Sequence, residues 1–80
     1  MIVSYDNLAR ALYIKINSDV EVARTVEFAP ETFVDLDKNG SLIGIEMLNP
    51  AQLILKRIAK KFHHPEISRI NPNKLKEAIA

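Results

Sequence analysis

Cysteine is absent from the 80 residues, which excludes disulfides, thiolate zinc sites and thiol catalysis. Only two glycines occur, too few for a glycine-rich phosphate loop. Aromatic residues are scarce as well, at three Phe and two Tyr, so there is little ring surface on which nucleic-acid bases could stack. The longest apolar stretches, such as "AQLILKRIA", are broken by charge well short of the ~20 residues a membrane span needs. The opening "MIVSYDNLAR" lacks the basic-then-apolar layout of a signal peptide. These absences lead us to expect a soluble, cytoplasmic protein with no membrane partner.

A chain of this length forms one domain, residues 1–80, and buries only about 60% of the surface its unfolded form exposes. Small domains without disulfides or metals often gain stability by self-association. The net charge of +1 hides a division. Residues 1–50 carry four Lys/Arg against eight Asp/Glu, whereas residues 51–80 carry seven against two. Either the two halves attract each other or the basic half meets an anionic partner.

The first 48 residues read as strands. In "ALYIKI", Leu12, Ile14 and Ile16 alternate with Ala11, Tyr13 and Lys15, the period of a half-buried strand. In "VEVARTVEF", Val20, Val22, Val26 and Phe28 share one side, which Arg24 interrupts. "IVSY", "FVDLD" and "LIGIEML" bring the total to about five. The connections are short and rich in turn residues, which favours an antiparallel meander, because parallel strands need long crossovers.

At residue 49 the period changes. Asn49 reads as a helix cap, followed by Pro50 at the first helical position and Gln52 at the third, with Leu48 and Leu53 placed for a hydrophobic staple. Over residues 49–63, Ala51, Ile54, Leu55, Ile58, Ala59 and Phe62 share one side and Lys56, Arg57, Lys60 and Lys61 the other. "HHP" ends this helix. Residues 64–80 read as an extended segment and a short helix starting at Asn71-Pro72, with Leu75 and Ile79 on one side. The predicted fold is therefore α+β: a five-stranded antiparallel meander, an amphipathic helix packed on one face, and a short final helix.

"DLDKNGSLIGIE", residues 35–46, spells an EF-hand calcium loop in full. A true EF-hand loop leads into a helix that brings its last Glu back to the ion. Here both flanks alternate at the strand period, and Asn39-Gly40 is a strong signal for a two-residue type I′ hairpin turn. That register sets Leu36 against Ile43 and Val34 against Ile45. Val34, Leu36, Ile43, Ile45 and Met47 then share one face, and Asp35, Asp37, Leu42, Gly44 and Glu46 the other. Asp37 and Glu46 stand roughly 13 Å apart in such a hairpin, too far to share an ion. The reading is a hairpin, with no metal or cofactor expected and only Asp35 and Asp37 left as a weak surface cation site.

The segments "YDNLARALYIKI", "ARTVEF" and "VDLDKNGSLIGIEMLN", in this order and spacing, resemble a small prokaryotic family known as domain of unknown function twenty-two eighty-three. The resemblance spans roughly residues 1–50. It implies a strand-rich domain with no established activity, and an antitoxin-like protein that binds another small protein. The residues it carries over are Tyr5, Asp6, Arg24, Asp35, Asp37, Gly40, Gly44 and Glu46, none of them catalytic.

Arg24 and Glu46 are charges within strands and read as a mutual pair, a snorkelling arginine, or an interaction site. His63 and His64 diverge by about 100° on a helix and cannot chelate one metal as a pair. They suit the negative end of the helix dipole instead. No nucleophile motif stands near either, so an enzyme is not expected. The basic stripe Lys56, Arg57, Lys60 and Lys61 is either a solvated or protein-facing helix surface or a phosphate-tracking surface for nucleic acid. The stripe has no aromatic residue of its own. The apolar residues Tyr13, Phe33 and Leu42 call for a second layer over the other sheet face, most simply a homodimer. The function expected is that of a non-enzymatic protein-interaction module. A nucleic-acid-binding protein is the alternative, and a cation-binding hairpin a third.

Overall fold

The computed structural model describes residues 1–79, with side chains to residue 76; the Ile79 side chain expected beside Leu75 lies outside the described residues. The strands are β1 (Ile2–Asp6), β2 (Ala11–Lys15), β3 (Arg24–Ala29), β4 (Thr32–Leu36) and β5 (Leu42–Leu48). They are followed by helix α1 (Gln52–Phe62), a 3-10 helix over Pro65–Arg69, and helix α2 (Pro72–Ile79). The strands form one antiparallel sheet in the order β1-β2-β5-β4-β3.

This order is a Greek key: three hairpin-linked strands, with a fourth reached by a longer connection. The connection, residues 16–23, crosses the ends of β5 and β4. The Ile16 and Asn17 amides both donate to the Ile43 carbonyl (3.0 and 3.4 Å), and the Ala23 amide donates to the Leu36 carbonyl (2.8 Å). Composition explains the placement. In β5 every residue from Leu42 to Ile45 is buried, as is Met47, as a central strand requires, whereas β1 and β3 are largely exposed and lie at the edges.

The hairpin between β4 and β5 differs from the expected one in its turn. The Asp37 amide donates to the Ser41 carbonyl and the Gly40 amide to the Asp37 carbonyl, both at 3.0 Å. Gly40 has φ 81°. This is a three-residue loop, a turn followed by a left-handed glycine bulge, and not a type I′ pair. The cause is Asp37, whose Oδ1 accepts the Asn39 and Ser41 amides at 2.8 and 2.9 Å and so closes the loop one residue earlier. A second irregularity restores the predicted pairing further on: Leu36 lies opposite Leu42, but Asp35 opposite Gly44 and Val34 opposite Ile45. Ile43 is thereby skipped. Leu42 joins the core, contrary to expectation, and Ile43 lines the opposite face with Tyr13, Val20 and Val22.

Gly44 sits where that face is tight. A Cβ there would stand 3.1 Å from Asp35 Oδ2 and 3.5 Å from the Ile14 carbonyl, while Thr25 Oγ1 holds Asp35 from the other side at 2.6 Å. Gly44→Val is expected to displace Asp35 and cost about 1–3 kcal/mol, measurable by urea denaturation.

Helix α1 starts later than its sequence signals suggest. Asn49 is left-handed (φ 51°), its amide donates to the Arg10 carbonyl at 3.0 Å, and Ala51 occupies the cap position without a side-chain bond. The staple is not formed, because Leu53 is 70% exposed. The tie to Arg10 overrides the local cap, since it joins the end of β5 to the turn before β2.

The other helix end is as predicted. The His64 amide donates to the Ala59 carbonyl at 2.9 Å across left-handed His63 (φ 59°), a Schellman closure usually built on glycine. His63→Gly is expected to relieve the left-handed strain and raise stability by about 1 kcal/mol, read as an increase in Tm.

The core lies between the sheet and α1. Leu12, Ile14, Val34, Leu36, Leu42, Ile45 and Met47 meet Leu55, Ile58 and Ala59, with Ile54 and Phe62 partly buried at the margin. Residues 65–69, expected to be extended, wind into the 3-10 helix, which puts the fully buried Ile67 into the same cluster. Asn71 Oδ1 accepts the Asn73 amide at 3.0 Å, as expected for the start of α2.

Candidate functional site

The apolar side of α1 lies on the sheet, so Lys56, Arg57, Lys60 and Lys61 are all exposed. The helix leaves the end of β5 and runs back along the sheet, since Lys61, Phe62 and His63 line a cleft with Gly40 and Ser41 of the β4–β5 turn. Its flank therefore follows β3. An open cleft between them is lined by Arg24, Val26 and Phe28 of β3 and by Arg57, Lys61 and Phe62 of α1. Lys60 joins the rim beside Phe28.

The floor is aromatic. The Arg57 guanidinium carbon lies 5.6 Å from the Phe28 ring centroid, within cation–π range. Phe28 in turn meets Phe62 at 6.4 Å between centroids with a 49° tilt. Stacking holds Arg57 in place while leaving its donors free. The one ion pair among the described residues is His64–Glu66, so Arg24, Arg57, Lys60 and Lys61 form none there. Glu27 is the single carboxylate lining the cleft. Four cations without acidic partners over an apolar floor make a surface suited to binding anionic groups.

Of the charges singled out in the sequence, Arg24, Arg57, Lys60 and Lys61 come together here. Lys56 is exposed but does not line the cleft. Glu46 lies on the opposite face, opposite Tyr13 on one side and Phe33 on the other, so it does not pair with Arg24. Sequence reasoning missed Phe28 and Phe62 as site residues. The alternation of β3 and the apolar stripe of α1 contain them, but only the sheet order reveals that the two rings meet.

The candidate cation site has other work. Asp35 accepts the Thr25 hydroxyl and Asp37 closes the turn, and no cluster of three metal-ligating side chains occurs among the described residues. Millimolar calcium is expected to leave Tm unchanged, whereas binding to the native state would raise it.

Past α1, His64 Nδ1 lies 2.9 Å from Glu66 Oε1. A backbone amide hydrogen bond, and secondarily the His64 contact, hold the Glu66 carboxyl below its ordinary value. The contribution is thus present above the ordinary glutamate range and is lost as pH falls through the lowered value. In His64→Ala, carboxyl NMR titration is expected to show the Glu66 pKa rising only part of the way back, because the amide remains.

A model of the family described as "Protein of unknown function (DUF2283)" matches residues 2–49. The match takes in the whole sheet, β1 to β5, and ends before α1. No curated protein and no solved structure matches the chain. With more than half of its length matched, the chain belongs to this family.

Proposed function

We propose that this member of the family is a binding protein without chemistry of its own, whose working surface is the cleft between β3 and α1 and whose partner is another protein. The observation that carries this reading is Arg57 stacked on Phe28 among three further cations that have no acidic partner among the described residues. Such unpaired charges beside exposed apolar residues suit an interface whose acidic half lies on another molecule. The antitoxin-like role that membership of this family suggests adds that the partner is a small protein.

Nucleic acid is the second reading, favoured by Phe28 and Phe62, which supply the aromatic surface that the basic stripe itself lacks. Of the residues behind the homodimer expected over the other face, Tyr13 and Phe33 remain there, and Ile43 takes the place of Leu42.

A tagged purification from the native cell, with and without nuclease, tests the proposal. A stoichiometric protein, retained after nuclease and lost in Arg57→Glu/Lys61→Glu, supports it. RNA or DNA in the eluate, released steeply by salt, would establish the second reading. A protein partner unaffected by the double charge reversal would overturn the choice of surface.

A further inference from the structure

We infer that the cleft takes its partner as an added strand: an extended acidic segment of another protein, paired with the free edge of β3 and directing carboxylates at Arg57 and Lys61. The inference rests on the protein-partner reading above and specifies the mode of binding.

The edge is available. β3 closes one side of the sheet and pairs only with β4, which leaves a row of backbone donors and acceptors along Arg24–Glu27, ahead of the register shift at Phe28, for a further strand. An apolar side chain accompanies the row, with Val26 exposed by 40%. Arg24, Val26 and Phe28 point toward α1, as their place in the cleft lining shows. A neighbouring strand would turn its alternate residues the same way.

Spacing matches as well. α1 flanks β3 across the cleft, and Arg57 and Lys61 are four residues apart, a rise of about 6 Å. Alternate residues of a strand are about 7 Å apart. Two acidic residues at positions i and i+2 of the added strand would therefore reach both cations.

Charge opposes a second copy paired antiparallel in this place. Two β3 strands paired about a two-fold axis perpendicular to the sheet would put both α1 helices on the same side, with Arg57, Lys60 and Lys61 of each confronting their equivalents. The other edge, β1, has no cation among Ile2–Asp6 and carries Asp6, so it lacks the complement an acidic strand needs.

The test uses the full 80-residue chain and a synthetic heptapeptide of alternating threonine and glutamate, followed by amide NMR and hydrogen exchange. Binding with about tenfold or greater protection of outward-facing amides of β3, weakened about tenfold or more in Lys61→Glu, is the expected result. The same peptide N-methylated on alternate residues, which cannot pair along an edge, should not bind. Shifts at Arg57 and Phe28 without protection of β3 would overturn strand addition while leaving the proposed surface intact. No binding at millimolar peptide, or equal binding of the N-methylated form, would overturn it too. Tighter binding of a single-stranded oligothymidine than of the peptide would overturn it together with the protein-partner reading.

Discussion

Ile58→Ala is expected to destabilise the domain by about 3–4 kcal/mol. Ile58 is fully buried at the middle of α1, where it belongs to the cluster that includes Leu12, Ile14, Ile45 and Met47. Its neighbours on the sheet side are held by the strand ladder and cannot collapse into the space left. The cost therefore includes a residual cavity in addition to the lost transfer energy. A chain of this size has a total stability of about 4–12 kcal/mol, so the variant would be close to unfolding at room temperature. Urea denaturation followed by far-ultraviolet circular dichroism measures it. A loss under about 1 kcal/mol, the range of surface substitutions, would mean that α1 does not pack on the sheet.

The second large effect is expected at Ile67, where truncation to Ala should cost about 2–4 kcal/mol. Ile67 is 0% exposed, although it lies beyond α1 in a 3-10 turn that has little stability of its own. Its burial attaches the segment after α1 to the main core, with Ile70 and Leu75 packed alongside. A truncation that affected only a loose tail would raise hydrogen exchange locally and leave the global midpoint in place. The structure predicts the opposite: a lower midpoint for the whole domain, with faster exchange in α1 as well. Measuring both separates a tail that shares the core from one that merely follows it.

Arg57 has two sides to its role. Its guanidinium contributes contact area to Phe28, so Arg57→Glu combines lost packing with reversed charge, whereas Lys61→Glu reverses charge alone. This is why the strand-addition test relies on Lys61. Both cations occupy exposed helix positions, where substitutions change stability little, so lost binding there can be separated from lost folding.

The elements and their class follow from local pattern. The period of two in Leu12–Ile16 and Val34–Leu36, and the period near four in Ile54–Phe62, depend on neighbours a few residues away, and they marked five strands, two helices and the buried side of α1. The hairpin reading of the calcium-like loop was legible for the same reason, because strand alternation on both flanks is a local property. Other features depend on residues far apart in the chain. Asp37 closing its own turn moved Leu42 into the core and Ile43 out of it, since a one-residue change in a loop inverts which face a strand residue takes. The Asn49 to Arg10 hydrogen bond displaced a well-marked helix cap. The Greek-key order placed β3 at the edge beside α1, which brought Arg24 and Phe28 to Arg57, Lys61 and Phe62. Periodicity assigns a residue to a face but does not say which strands adjoin. The cleft lies between two elements more than twenty residues apart, so it exists only once the sheet has been assembled.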